Sequence, residues 1–537
     1  MTISKILIAN RGEIALRIIR TCKEMGIKTV ALYPRGVDKW QFLETRFADE
    51  SYCMEEDGIL GYLDQGKIIQ IAKMAKADAI HPGYGFLSEN GAFSELCQKN
   101  GIKFIGPQPD TLRKLGDKIE AKKIAKAVKC PLLPGTESPL KSDEECWDNA
   151  RRIDPPFILK AANGGGGMGI EVIEERNRNR IIETFQKLKR EVKNAFGSDE
   201  IFIEKFLRRP RHIEVQILGD GKGRVVHFGE RECSIQRRHQ KLVEEAPAPL
   251  LDRRIRDKML EVAVKIGEYM RYESLGTVEF LLDEDKEFYF LEVNPRIQVE
   301  HPITEIIAGV DLVAQQIRIA GGEELKIRQK DIIFSGSAIE FRINAEDALN
   351  NFHPYAGQIE EYLAPMGKGI EMHTFCQTGQ IIYPFFDSLI AKMVVFGKNR
   401  NQAIRRAKRA FSEIIIEGVP TLIPFFRTLI SSPAFQEAKI STSFIKEENI
   451  IEKLKEEFPQ GEKKIFKTCK PLDEKDIAFF VASIYQEMKG TEKDKDVSNK
   501  WKTSIRPACN ALPATMTAIR LSGWRSNAGR HGAWKRL

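Results

Sequence analysis

The chain of 537 residues lacks any CxxC pair and any Cys/His cluster at metal-ligand spacing; its nine cysteines (22, 53, 97, 130, 146, 233, 376, 469 and 509) are scattered. This excludes a zinc-finger type of site and a disulfide scaffold. No apolar run approaches the roughly 18 residues that mark a membrane span. The opening MTISKILIAN is too short in its apolar part for a secretory signal and has no cleavage pattern; it reads as a first strand, and the protein is expected in the cytoplasm without a membrane partner. That strand is followed by ANRGE, not by GxGxxG, and no GKS or GKT feeds a helix. Neither a dinucleotide fingerprint nor a Walker A loop is present. Internal repeats are also missing.

Acidic residues are missing from one place only. Residues 500–537 hold eight Lys or Arg and no Asp or Glu, and so account for the whole formal charge of +8. The rest of the chain is neutral. This tail, with Trp501, Trp524 and Trp534, reads either as a basic arm for nucleic acid or membrane or as a disordered or aberrant end; its break in composition favours the second. With 42% hydrophobic and 30% charged residues, the remainder has the composition of an ordinary multidomain globular protein.

Strand and helix patterns alternate from residue 1 to about 114: KILIA, GEIALRIIRTCKEMG, KTVALY, then DAIHPGYGF and IKFIGP. This is a βαβ start to a parallel sheet, and HPGYGFLSEN falls at a strand's C-terminal end, where such sheets contact ligands. A second region, 115–333, holds most of the chemistry-bearing residues. Residues 334–446 read as α+β, 447–490 as a helical extension with IIEKLKEEF and EKDIAFFVASIYQEM as its helices, and 491–537 as the basic tail.

Within the second region, GTVEFLLDEDKE and FYFLEVNPRIQVEHPITE read as two strands folding back about Asp285 and Lys286. The pairs would be 283 with 288, 281 with 290 and 279 with 292. Glu279 then faces Glu292, an unfavourable opposition unless a cation lies between them. Two carboxylates and the amide oxygen of Asn294 suit Mg²⁺ or Mn²⁺. The alternative is a solvent-facing hairpin of ordinary glutamates.

Two further segments handle anions. FILKAANGGGGMGIEVIEE puts Lys160 on a strand and Gly164, Gly165, Gly166 and Gly167 in the loop before another strand. Such a loop either closes over phosphates with its backbone N–H groups or is a plain flexible turn. RHIEVQILGD alternates so that His212 and Glu214 share a face, and RECSIQRRHQKLVEEAPAP gathers Gln236, Arg237, Arg238, His239 and Lys241 before an acidic pair. Without aromatic interleaving, and running into VEE, this basic segment suits a small anion better than nucleic acid. Cys233, three residues ahead of Gln236, is the cysteine expected near the chemistry.

GDK at Gly116 to Lys118, LKAANGGGGMG, EKFL at 204–207, RRHQKLVEEAPAP, VEF, EVNPRIQVEHPITE and FRINAED, with IANRGEIALRIIR and HPGYGFLSEN, together resemble the biotin carboxylase family of ATP-grasp enzymes over roughly residues 3–446. The resemblance implies an α/β and α+β fold: a Rossmann-like pre-ATP-grasp domain, an ATP-grasp domain with a mobile glycine-rich lid (about 133–206), and a C-terminal biotin carboxylase domain. It implies metal ligation by Glu279, Glu292 and Asn294. For ATP it implies Lys118, Lys160 and the glycine loop at the phosphates, Glu204, Lys205 and Leu207 at adenine, and His212, Gln236 and His239 near ribose and phosphates. Lys241, Arg296, Gln298 and Val299 would form the bicarbonate pocket, with Glu300 as general base and Arg342 and Tyr84 facing biotin. Asn163 and Met168 in the glycine loop depart from the family pattern.

The residue types suit that chemistry. Bicarbonate must be held and deprotonated, which needs a carboxylate base among cations, and phosphoryl transfer needs metal and lysine charge. The one string near a biotinyl motif, QEMKG with Lys489, lacks flanking strands, so biotin is expected on a separate carrier protein. A carboxyltransferase partner and a homodimer are likewise implied. The helical extension resembles that of the stand-alone subunits of acetyl-CoA, propionyl-CoA or pyruvate carboxylases. A carbamoyl-phosphate synthetase large chain, the rival ATP-grasp enzyme that activates bicarbonate, would need two homologous halves. A non-catalytic nucleotide-binding module would not need Lys241, Arg296, Glu300 and Arg342 together.

Overall fold

The computed structural model describes residues 3–136, 138–161, 169–196 and 199–458. They fall into two compact units, Ser138–Glu204 and the residues before and after it. The larger unit opens with five strands, β1 (Lys5–Ile8), β2 (Lys28–Arg35), β3 (Glu50–Asp57), β4 (Ala79–His81) and β5 (Lys103–Phe104), in the order β3-β2-β1-β4-β5. All pair in parallel. Helix α1 (Gly12–Glu24) makes the first crossover and buries Ile14, Ile18, Ile19 and Cys22 at helical spacing. At the C-terminal end of β4, Gly83 takes φ +63°, and a Cβ there would meet Asn10 Nδ2 at 2.9 Å. That amide donates to the carbonyls of Pro82 and Tyr84, both at 2.7 Å, and so fixes the loop bearing Tyr84. Helix α2 (Lys118–Ala127) follows, capped by the Asp117 carboxylate.

The smaller unit contains β6 (Phe157–Ala161), β7 (Ile170–Ile173) and β8 (Ile201–Lys205) in the order β7-β6-β8. β6 and β7 pair antiparallel with Lys160 opposite Ile170, the hairpin expected around the glycine run. Phe157, Leu159 and Ile203 pack with Ile181, Phe185 and Leu188 of α3 (Arg178–Phe196). Gly164–Gly167, with Asn163 and Met168, lie outside the described residues.

The larger unit continues as an antiparallel sheet of eight strands. These are β9 (Arg211–Asp220), β10 (Val225–Arg237), β11 (Gln240–Ala246), β12 (Glu273–Leu282), β13 (Phe288–Asn294), β14 (Ser337–Asn344), β15 (Ile370–Thr374) and β16 (Leu389–Gly397), ordered β13-β12-β9-β10-β11-β14-β16-β15. The sheet runs through residue 333 without a break, since β11 pairs with β14. Period-two alternation gives β9 one face of Ile213, Val215 and Ile217, which packs on Met259, Ala263 and Ile266 of α4 (Arg253–Tyr269). His212, Glu214 and Gln216, all buried, make the other face. Helix α5 (His301–Ala308) follows β13 after a short loop, and α6 (Arg400–Glu413) packs Ala403, Ala407 and Phe411 into the C-terminal core. IIEKLKEEF forms the helix Ile450–Glu457; the second expected helix, Lys489 and the basic tail lie outside the described residues. No helix among those described is long and apolar enough to cross a membrane.

Candidate active site

The polar face of the large sheet is organised by strand register. Glu292 of β13, Glu279 of β12, Glu214 of β9 and Arg231 of β10 stand directly opposite one another in one row. The expected opposition of residues 279 and 292 is present, but the expected pairs 281 with 290 and 283 with 288 are not. Leu282 faces Phe288, Leu281 faces Tyr289 and Phe280 faces Phe290, with an irregularity between Glu279 and Phe280. The turn is longer than a two-residue loop: the Asp283 N–H donates to the Glu287 carbonyl at 2.9 Å, and Lys286 takes φ +66°. That shifts the register by one residue, and a bulge at Leu291, which is exposed, shifts it back. The two departures cancel at the site.

A row of carboxylates this close is sustained by cations inserted into it. The fully buried Arg231 donates through Nε to Glu214 and, through Nη1, to Gln216 Oε1 (2.8 Å) and Thr304 Oγ1 (2.9 Å). Lys241 Nζ sits among three carboxylates, 2.5 Å from Glu214, 2.9 Å from Glu279 and 2.8 Å from Glu300. His212 Nε2 lies 2.7 Å from Glu279 Oε2. Burial pushes the Glu279 carboxyl upward, but Lys241 and His212 hold it well below the usual carboxylate range. The same carboxylate accepts from Asn294 Nδ2 (2.8 Å) and Gln298 Nε2 (3.2 Å).

Glu300 is the N-cap of α5 and is completely buried. Its second oxygen lies 2.8 Å from Arg342 Nη2, while Arg342 Nε donates to Glu244 at 2.6 Å. Against the effect of burial, Lys241, Arg342 and Arg231 keep Glu300 ionised. Glu244 behaves oppositely: burial pushes it up to about 7 despite Arg342, with Glu300 adding like-charge repulsion. Arg296 donates to Glu89 (2.7 Å), Gln298 Oε1 (3.0 Å) and Asn294 Oδ1 (3.1 Å). Cys233, Glu214 and Glu300 have ligand atoms all within 4.8 Å of one another; burial, followed by Glu214, raises the thiol well above its ordinary pKa, so it stays neutral.

Glu292 differs from its neighbours in the row. It is open to water and has no hydrogen-bond or ion-pair partner among the described residues. Crowding by the protein, then the Glu279 and Glu89 carboxylates, raises its pKa. A carboxylate with no ion-pair partner beside a second carboxylate fits a hard divalent ion with oxygen ligands.

Lys241, Glu279, Asn294, Arg296, Gln298, Glu300, Arg342 and His212 are therefore drawn into one hydrogen-bonded cluster. Lys118, at the start of α2, lowers the Glu292 pKa by its charge. Tyr84 donates its hydroxyl to Glu13. Lys160 pairs with Glu204 within the smaller unit; Lys205 ends β8, and Leu207 lies just after it. Gln236 stands opposite Lys241 in the pairing of β10 with β11, and His239 is the second residue of the two-residue turn Arg238–His239 that joins them; neither side chain is hydrogen-bonded to the cluster among the described residues. The roles of Arg231, Glu244 and Glu89 were not expected. Arg231 stands between Glu230 and Glu232 in a strand that begins VVHF, and charge in the middle of a buried strand is the signal that would have found it. Glu89 lies 207 residues from Arg296, beyond any local pattern.

Residues 2–112 match the family described as the N-terminal domain of biotin carboxylase, 117–328 the ATP-binding domain of the carbamoyl-phosphate synthase L chain, and 340–447 the C-terminal domain of biotin carboxylase. These spans define an ATP-grasp protein. The chain belongs to the biotin carboxylase family. It is 47% identical over 450 residues to biotin carboxylase of Nostoc sp., covering 84% of this chain and 100% of that one. Among solved structures it resembles the biotin carboxylase domain dimer of Hydrogenobacter thermophilus 2-oxoglutarate carboxylase in complex with MgADP, ADP and bicarbonate, at TM-score 0.78 and 43% identity over 84% of this chain and 99% of that one. The Campylobacter jejuni biotin carboxylase–β-γ-ATP complex matches at TM-score 0.78 and 42% identity over 83% and 99%.

Proposed function

We propose that this chain carboxylates biotin on a separate carrier protein, using ATP and bicarbonate by way of carboxyphosphate, and that it works as a homodimeric subunit beside a carboxyltransferase. The domains proposed with it are 1–114, 115–333 and 334–446. The observation that carries the reading is Lys241, one ammonium shared by Glu279 of the carboxylate row and by Glu300.

Bicarbonate entering between Lys241 and Arg296 takes over the Lys241 ammonium that now pairs with Glu300. Released from Lys241, Glu300 gains basicity and accepts the bicarbonate proton, while Arg296 and Gln298 hold the anion in line. Glu279, Glu292 and Asn294 would hold Mg²⁺ or Mn²⁺, which supplies charge neutralisation for phosphoryl transfer when bound. Lys118, Lys160, the glycine loop, Glu204, Lys205, Leu207, His212, Gln236 and His239 are assigned to ATP. The deprotonated bicarbonate takes the γ-phosphoryl group of ATP, with ADP leaving, to give carboxyphosphate; this breaks into CO₂ and phosphate, and the phosphate takes the ureido proton. Arg342 stabilises the resulting oxyanion beside Tyr84, and the ureido nitrogen then bonds to CO₂. The test is ATP hydrolysis by the full chain with magnesium, with and without bicarbonate and free biotin. Hydrolysis that needs bicarbonate and rises with biotin is expected; hydrolysis indifferent to both would overturn the reading.

A further inference from the structure

Lys392 of β16 is completely buried, and the proposed function gives it no contact with bicarbonate, ATP or biotin. Its Nζ donates to the Val299 carbonyl at 2.6 Å and lies 3.1 Å from Glu13 Oε1 at the start of α1. The same Glu13 oxygen accepts the Tyr84 hydroxyl. One residue before Val299, the Gln298 carbonyl is held by the ring Nδ1 of the buried His301 at 2.7 Å. Two consecutive carbonyls of the loop between β13 and α5 are thus pinned from beneath by buried side chains. Because a trans peptide is planar, with its N–H opposed to its C=O, pinning these oxygens aims the Val299 and Glu300 N–H groups the other way and sets where the Glu300 side chain starts.

A buried ammonium is expensive, and a buried ion pair is weak evidence for stability. A well-packed apolar residue would serve the core as well. We propose that Lys392 is a positioning residue, a buried strut by which Glu13 and Tyr84 on the biotin side hold the Val299–Glu300 peptide on the bicarbonate side. This rests on the proposed biotin carboxylation. It assigns to Lys392 and Glu13 the orientation of the bicarbonate-binding backbone rather than contact with any substrate.

The test compares the parent, Lys392→Met and the double variant Lys392→Met/Glu13→Gln, the last leaving no unpaired buried charge. In each, KM for bicarbonate, KM for ATP and the thermal midpoint are measured on the full chain with magnesium. Lys392→Met is expected to raise KM for bicarbonate on the order of ten- to a hundredfold, the size of one charge-assisted hydrogen bond, with KM for ATP within about twofold. The double variant is expected to recover the thermal midpoint but not the bicarbonate KM. Recovery of both, a parallel rise in both KM values, or a double variant that does not fold would show that the pair only balances charge or holds the fold, and would overturn the assignment. A parent without bicarbonate-dependent hydrolysis would instead sink the functional reading, and this inference with it.

Discussion

Strand β11 carries two ionic arrangements of opposite character. Near one end, Glu245 meets Arg400 through a bidentate fork, 2.6 Å to Nε and 2.8 Å to Nη2, and the remaining N–H groups of Arg400 reach the carbonyls of Phe435 (2.7 Å) and Gln436 (2.8 Å). The Phe435 ring lies 4.9 Å below the guanidinium. That arrangement is closed. Near the other end, Lys241 is divided among Glu214, Glu279 and Glu300, and Glu292 has no ion-pair partner among the described residues. Every charge has its own partner in the first region, whereas in the second one ammonium is shared and one carboxylate is unpaired. The difference separates a contact that holds the sheet to the C-terminal helices from the site proposed above to bind metal and bicarbonate.

The widest separation of the two regions should come from one substitution in each. Glu300→Gln is expected to lower biotin-stimulated turnover by roughly 10²- to 10⁴-fold, the usual worth of the general base proposed here. Arg400→Ala is expected to leave turnover and KM values unchanged while costing about 3–5 kcal/mol by leaving Glu245 buried and unpaired. Steady-state kinetics and thermal melts on both variants check this, and a comparable loss of turnover in both would erase the distinction. Next in size, Glu292→Gln should raise the magnesium concentration for half-maximal hydrolysis about tenfold, as loss of one metal-site group does, whereas Arg400→Ala should not move it. A magnesium titration decides.

The open region was more legible in sequence than the closed one. Charged side chains at period two in otherwise apolar strands stand out, which is why Glu279, Glu292, His212 and Glu214 could be placed on their faces from residue types alone. Arg400 and Glu245 carry no such mark, being separated by 155 positions and each ordinary in its own segment. The same limit hid Lys392 and Glu13: both are unexceptional in a strand or helix until the fold brings them together. Register was legible only at its end points. The bulge at Leu291 leaves no trace in hydrophobic pattern, because one inserted residue and one shifted turn restore the alternation where it matters.

Acidity sharpens the contrast between carboxylates inside the open region. Glu244, pushed up to about 7 from an ordinary 4.5, holds a proton in the folded state that the unfolded chain has already released. Its contribution to stability is therefore full below pH 4.5 and is lost as pH rises toward 7, by at most roughly 1.4 kcal/mol per pH unit. Glu279 and Glu300, held low by Lys241, act with the opposite sign, losing stability as pH falls through the acidic range. Glu244→Gln should flatten the pH 4.5–7 limb and leave the acidic limb intact, as read from urea midpoints across pH; an unchanged upper limb would remove Glu244 as its source.

The smallest effect concerns the turn that joins β10 to β11. Arg238 and His239 both take left-handed backbone, at φ +49° and +64°, in a two-residue hairpin where Asn-Gly would be at ease. The turn is clamped from the side by Arg237, whose guanidinium lies 4.2 Å over the Phe352 ring and donates to Asn351 Oδ1 at 2.6 Å. Strain kept at a site and offset by a neighbouring contact is what a functional constraint produces. Arg238→Asn should raise stability by up to about 1 kcal/mol, since Asn accepts that conformation more readily, while Arg237→Ala, which loosens the clamp, should raise KM for ATP and leave KM for bicarbonate in place. If Arg238→Asn proved destabilising, the turn would belong with Arg400 and Glu245 among the contacts that hold the fold, and the boundary between the two regions would move to include it.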